Sequence, residues 1–151
     1  RSLGGSGVKS TGKLKPIPST PKDNGQEISD KTFANQAILY RLNSDLNPLH
    51  IDPENAKKAG FPRPIIHGMS FAIKVWPPME RCEEHRPKFV DNDAEKVQSV
   101  DIRFTGHVFP GEGLKIKIWK EAGKLFFEAF TVERKTKAVV GVIGLRGNAK
   151  L

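Results

Sequence analysis

The last third of the chain fixes its class. Four stretches rich in Val, Ile, Phe and Trp, at residues 96–109, 113–120, 125–134 and 138–145, follow one another with only short turns between them. Such spacing predicts consecutive antiparallel strands, not strands alternating with helices. Leu114-Lys115-Ile116-Lys117-Ile118 alternates apolar and basic residues, as a strand with one wet face does. Pro110-Gly111, Ala122-Gly123 and Lys135-Thr136-Lys137 supply the turns. Helical signals are confined to the first half. Phe33, Ala34, Ala37, Ile38 and Arg41 form a helical stripe ending near Leu42, with Ser29 expected as N-cap and Asp30 in the first turn. Asp52 is expected to cap a second short helix, with Pro53 first and Gly60 closing it. A longer helix is expected from about Met69 to Val75 or beyond, and Pro77-Pro78 must kink or end it. Helices followed by four strands, with room for one more near the start, predict an α+β domain: an antiparallel sheet carrying helices on one face.

With 151 residues, one domain is the natural expectation. No apolar run approaches the roughly 20 residues of a membrane-spanning helix, so no membrane partner is expected. Cys82 is alone, which rules out an intrachain disulfide and a Cys-rich zinc site. Of the formal net charge of +8, residues 1–22 supply five bases and no acid, leaving +3 for the rest. The basicity therefore belongs mainly to a Gly-, Ser- and Pro-rich segment, residues 1–28, read as a linker or extended arm. That argues against a nucleic-acid partner. A small positive excess suits a phosphate-bearing ligand. Residues 83–95 are polar and charged, an exposed connection in which His85 is expected to be solvated.

The chemically dense segment is Tyr40-Arg41-Leu42-Asn43-Ser44-Asp45-Leu46-Asn47-Pro48-Leu49-His50-Ile51-Asp52-Pro53, continued by Ala59-Gly60-Phe61 and Pro64-Ile65-Ile66-His67-Gly68-Met69. An acid, an amide and an imidazole fall within six residues of a bend stiffened by Pro48. Gly68 stands at the mouth of a predicted helix. Adding water to an unsaturated thioester requires one group to take a proton from water and another to return one to carbon, work suited to histidine and a carboxylate. The enolate oxygen needs donors, which free N–H groups at a helix start provide, and a glycine there lets the thioester come close.

This segment closely resembles the signature of the MaoC-like (R)-specific enoyl-CoA hydratases, in outline Tyr-Arg-Leu-Ser-Gly-Asp-x-Asn-Pro-Leu-His-Ile-Asp-Pro, then Gly-Phe, then Pro-Ile-Leu-His-Gly. The resemblance runs from about Lys31 to Leu145 and includes Phe104, Val108, Pro110, Gly111 and Glu112. It implies a hot-dog fold, an antiparallel sheet wrapped around a central helix, over residues 29–148. It implies hydration of a trans-2-enoyl-CoA to the (3R)-3-hydroxyacyl-CoA, with no cofactor because coenzyme A is part of the substrate. By position, Asp45 and His50 match the family's acid–base pair, Asn47 the amide that helps hold the water, and Gly68 the backbone donor to the thioester oxygen. His50 is assigned to activating the water and Asp45 to protonating C2. The exchanged roles stay open, because the two titrate as a pair. Two departures stand out: Ser44 replaces a glycine, and His107 occurs where the family more often has proline.

Other features have plainer readings. His67 is expected to anchor the loop, Asp52 and Pro53 to cap, and Trp76 and Trp119 to pack. Asp45, His50, His67 and Glu54 fit no standard zinc spacing, so no metal is expected. Ala149-Lys150-Leu151 is a conservative variant of the Ser-Lys-Leu peroxisomal address, which predicts a peroxisomal location and an import receptor as partner. One hot dog leaves the acyl tunnel half built. The family implies pairing, either as a homodimer or with a second hot-dog unit, and Arg1 in place of Met suggests the C-terminal half of a multifunctional enzyme. Alternatives are a non-catalytic acyl-thioester-binding half-domain and a nucleic-acid binder, for which only the basic segment speaks. Hot-dog thioesterases lack this signature.

Overall fold

The computed structural model describes residues 25–43, 45–75 and 96–146. Strands β1 (Gln26–Lys31), β2 (Val97–Phe104), β3 (Gly113–Glu121), β4 (Lys124–Thr131) and β5 (Lys137–Leu145) form one sheet. Their order is β1-β3-β4-β5-β2, and every neighbouring pair is antiparallel. Helices α1 (Gln36–Arg41), α2 (Pro53–Lys58) and α3 (Gly68–Val75) precede β2 in the chain. This is the α+β hot-dog arrangement expected, with α3 as the central helix.

Strand alternation builds the core. Leu114, Ile116 and Ile118 of β3, Leu125, Phe127 and Ala129 of β4, and Val139 and Ile143 of β5 are buried together with Phe71 and Val75 of α3. Each large side chain so placed contributes roughly 1.5–3 kcal/mol. Trp119 is packed as expected, stacked on Phe126 with ring centroids 5.6 Å apart.

The start of the domain differs from the reading above. Ser29 and Asp30, expected to open a helix, lie in β1, which begins at Gln26 inside the segment read as an arm. Six residues of β1 pair with β3, Ile28 opposite Ile116. That ladder outweighs the local capping preference of Ser and Asp, whose strand propensity depends on context. Asp30 becomes the counter-ion of Lys74, which is buried on α3 at 3.3 Å and also donates to the Lys31 carbonyl. Helix α1 is consequently shorter than its stripe, starting after Asn35.

Helix α2 follows its sequence signals. The Asp52 side chain accepts from Glu54 N–H and Pro53 sits first. Gly60, at φ +86°, closes it. Its N–H bonds to the Lys57 carbonyl, and that of Phe61 to Ala56, the double bond of a Schellman end.

Strand β2 stops at Phe104, short of the predicted residue 109, because the N–H groups of Thr105 and Gly106 both turn to the Ala138 carbonyl. Val108 leaves the sheet and accepts instead from the Ile66 N–H at 2.8 Å. This contact pins the approach to α3, and with it His67 and Gly68, beside the end of β2. Ser44, Trp76, Pro77-Pro78, His85 and residues 149–151 lie outside the described residues.

Candidate active site

The bend between α1 and α2 is built by its own polar side chains. Asp45 Oδ1 accepts from the Asn47 N–H, and Asn47 Oδ1 accepts from the Leu49 N–H, both at 3.1 Å. Asn47, held extended before proline, then caps a single 3-10 turn over Pro48–His50. Arg41, from the end of α1, donates to the Leu46 carbonyl at 2.5 Å. These bonds turn His50 inward, where it is buried, while the Asp45 side chain stays 48% exposed.

His50 Nδ1 lies 2.8 Å from the Ile65 carbonyl. A carbonyl can only accept, so Nδ1 carries the hydrogen and Nε2 holds the lone pair. Behind it lies His67, almost fully buried, its ring stacked on His50 with centroids 3.6 Å apart and tilted on Tyr40 at 4.7 Å. His67 Nε2 is 3.3 Å from the Asp45 carbonyl and 3.8 Å from its carboxylate Oδ2. Burial, and then the neighbouring His50, hold the His67 imidazole below the usual histidine range, against the pull of the Asp45 carbonyl and carboxylate. That direction favours the neutral imidazole.

Asp45, His50 and His67 each bring one polar atom within 4.8 Å of the others. These are metal-ligand types, and two of their ring nitrogens already face carbonyls, His50 Nδ1 that of Ile65 and His67 Nε2 that of Asp45.

A cavity of about 510 Å³ opens beside this cluster, lined among others by His50, Phe61, Gly68, Phe71, Phe104 and His107. Gly68 begins α3, and among the described residues no acceptor takes its N–H. That is the orphan donor a helix start provides. Of the four residues singled out from sequence, His50 and Gly68 line the cavity, whereas Asp45 and Asn47 do not, although a polar atom of Asp45 lies within 4.8 Å of His50. Asn47 has its side-chain oxygen occupied in the turn.

Sequence reasoning missed the wall that supports this cavity. Glu112, buried before β3, accepts from Arg134 Nε at 2.5 Å, Arg134 Nη2 at 2.8 Å and the Phe109 N–H at 2.7 Å. Burial pushes its carboxyl up, but these bonds outweigh it and the net shift is downward. Arg134 also donates through Nη1 to His107 Nε2 at 3.0 Å, which fixes His107 as the Nδ1–H tautomer. Burial and the Arg134 charge push the His107 pKa down. Arg134 lies 22 residues beyond Glu112 with no local signal linking the two.

A profile of the family described as "MaoC like domain" matches residues 15–142. The chain is 39% identical over 130 residues to the mouse peroxisomal multifunctional enzyme type 2, covering 83% of this chain and 16% of that protein. It is 40% identical over 121 residues to the peroxisomal enoyl-CoA hydratase 2 of Arabidopsis thaliana, covering 78% and 36%. Among solved structures, the full-length peroxisomal multifunctional enzyme type 2 of Drosophila melanogaster superposes with a TM-score of 0.73 at 31% identity, covering 93% of this chain and 25% of that one. The chain thus spans well under half the length of these relatives.

Proposed function

The chain belongs to the MaoC-like domain family, and from that premise we propose that it hydrates trans-2-enoyl-CoA thioesters to (3R)-3-hydroxyacyl-CoA, in peroxisomal fatty-acid β-oxidation. One observation carries the reading. His50 and Gly68 line a single cavity, and a polar atom of Asp45 lies within 4.8 Å of His50. An imidazole and a helix-start N–H donor thus share one cavity, with a carboxyl group close to the imidazole. The relatives named above supply the substrate class and the peroxisomal location.

In the proposed reaction His50 Nε2 takes one proton from water as the water oxygen bonds to C3. The C2–C3 π pair shifts toward the thioester, and the Gly68 N–H donates to the oxygen on which charge develops. Asp45 gives a proton to C2, and the proton held by His50 then restores the pair. The hydrogen bond from His50 Nδ1 to Ile65 favours His50 as base, because it leaves the lone pair on Nε2. Asn47 would help hold the water through its amide. No separate cofactor is needed, since coenzyme A is part of the substrate.

Pairing with a second hot-dog unit, from another copy or another chain, belongs to the same proposal. Ile38, Leu39 and Leu42 of the α1 region and Leu46 of the bend are all exposed, and burying them would also cover the rim on which Asp45 sits. Asp45's exposure likewise favours the second reading, an acyl-thioester-binding half-domain inactive without its partner. Loss of enoyl absorbance with trans-2-enoyl-CoA, followed by chiral analysis of the product, tests the proposal. A 3R product is expected; binding without turnover supports the second reading, and a 3S product contradicts the first.

A further inference from the structure

We propose that His67 is a positioning residue that locks Asp45 and His50 into one geometry. The inference rests on the acid–base roles given above. His67 immediately precedes α3 and is 2% exposed. Four titratable or charged groups face it: Asp45 from the bend, His50 from the 3-10 turn, and Tyr40 and Arg41 from α1.

Two contacts define the role. His67 Nε2 donates to the Asp45 carbonyl at 3.3 Å, which fixes the backbone from which the Asp45 carboxylate projects. Its ring is the platform on which His50 stacks at 3.6 Å. His50 is thereby held on its face by His67 and on its Nδ1 edge by Ile65, leaving Nε2 a single direction. The Nδ1 of His67 is buried without a partner among the described residues. A phenyl ring would fill the same space without stranding a lone pair, so packing does not account for an imidazole here. The donor on the opposite edge does. A positive ring against His50 would be repelled once His50 takes the proton from water, so the neutral His67 orients its neighbours and takes no part in proton transfer.

His67→Phe keeps the ring and loses the donor, and His67→Gln restores a side-chain N–H. His67→Phe is expected to lower kcat at least about tenfold, as small misplacements of reacting groups do, with KM for enoyl-CoA within about twofold. His67→Gln is expected to recover most of that loss and the shape of the kcat–pH profile, measured below the unfolding temperature of each variant. A His67→Phe enzyme with wild-type kcat and pH profile overturns the proposal. So does a Gln variant no better than Phe. 15N NMR of His67 in the unaltered chain gives a readout independent of turnover. A neutral ring with hydrogen on Nε2 at pH 7 is expected, and hydrogen on Nδ1, or a charged ring, overturns the proposal whether or not the chain hydrates enoyl-CoA.

Discussion

The ring of Phe104 lies 3.1 Å from where a Cβ on Gly68 would stand. Phe104 ends β2 and packs edge-on against Phe71 of α3, 5.6 Å between centroids, so a methyl on Gly68 would press the tip of that ring away from the helix. The site thus needs glycine for space as well as for its exposed N–H. Gly68→Ala is expected to lower kcat/KM by up to roughly a hundredfold, the scale of an ångström-sized misplacement. Adding Phe104→Leu should return a substantial part of it. Steady-state rates with a short enoyl-CoA check this, and a double variant no better than Gly68→Ala would place the effect elsewhere.

The exposed run Ile38, Leu39, Leu42 and Leu46 should be an interface. Light scattering of the isolated chain is expected to give a dimer, and Leu42→Glu a monomer with an unchanged circular-dichroism spectrum. A wild-type monomer at tens of micromolar would contradict pairing between two copies of this chain.

Arg134 holds the buried Glu112 with two N–H groups and lies over the Phe109 ring at 4.8 Å. Removing it strands a carboxylate that is 5% exposed. Arg134→Ala is expected to cost about 3 kcal/mol, or roughly 10 °C in Tm for a chain of this size. The Glu112→Gln/Arg134→Met pair should recover part of it, because no buried charge remains. Thermal denaturation of the three variants decides.

Stability should fall in two steps on acidification. His67 and His107 have native pKa values below the ordinary 6.5, so the unfolded chain binds more protons than the native one as pH drops. Their contribution is intact above pH 6.5 and is lost as pH falls from there through their lower native values. Glu112 is depressed below 4.5. Its contribution is present above that value and is lost at more acid pH, through its native value. Chemical denaturation between pH 8 and pH 4 checks the first step. His67→Gln should flatten it, and stability rising as pH falls from 7 to 5 would contradict it.

What could be read in advance was local. Asp52, Pro53 and Gly60 announce α2 because caps and helix ends act within one turn. Asp45 and His50 were legible together because a proline-stiffened bend of six residues keeps them adjacent whatever the rest of the chain does. A strand near the start was allowed for, but its place was not legible: Ile28 is the one apolar residue of β1, and its pairing with β3 lies some ninety residues away. The same holds for Phe104 against Gly68, for Arg134 against Glu112, and for the stacking of His67 on His50. Each joins segments distant in the chain that meet only in the folded domain.

Asp45 and His50 are taken to work on one water molecule, and the turnover of Asp45→Asn, His50→Gln and their double variant tests this most directly. Each single change is expected to lower kcat by roughly 10²–10⁴-fold, and the double should lose no more than the worse single, as groups acting as a unit do. A single variant at full rate, or losses that multiply in the double, would contradict it.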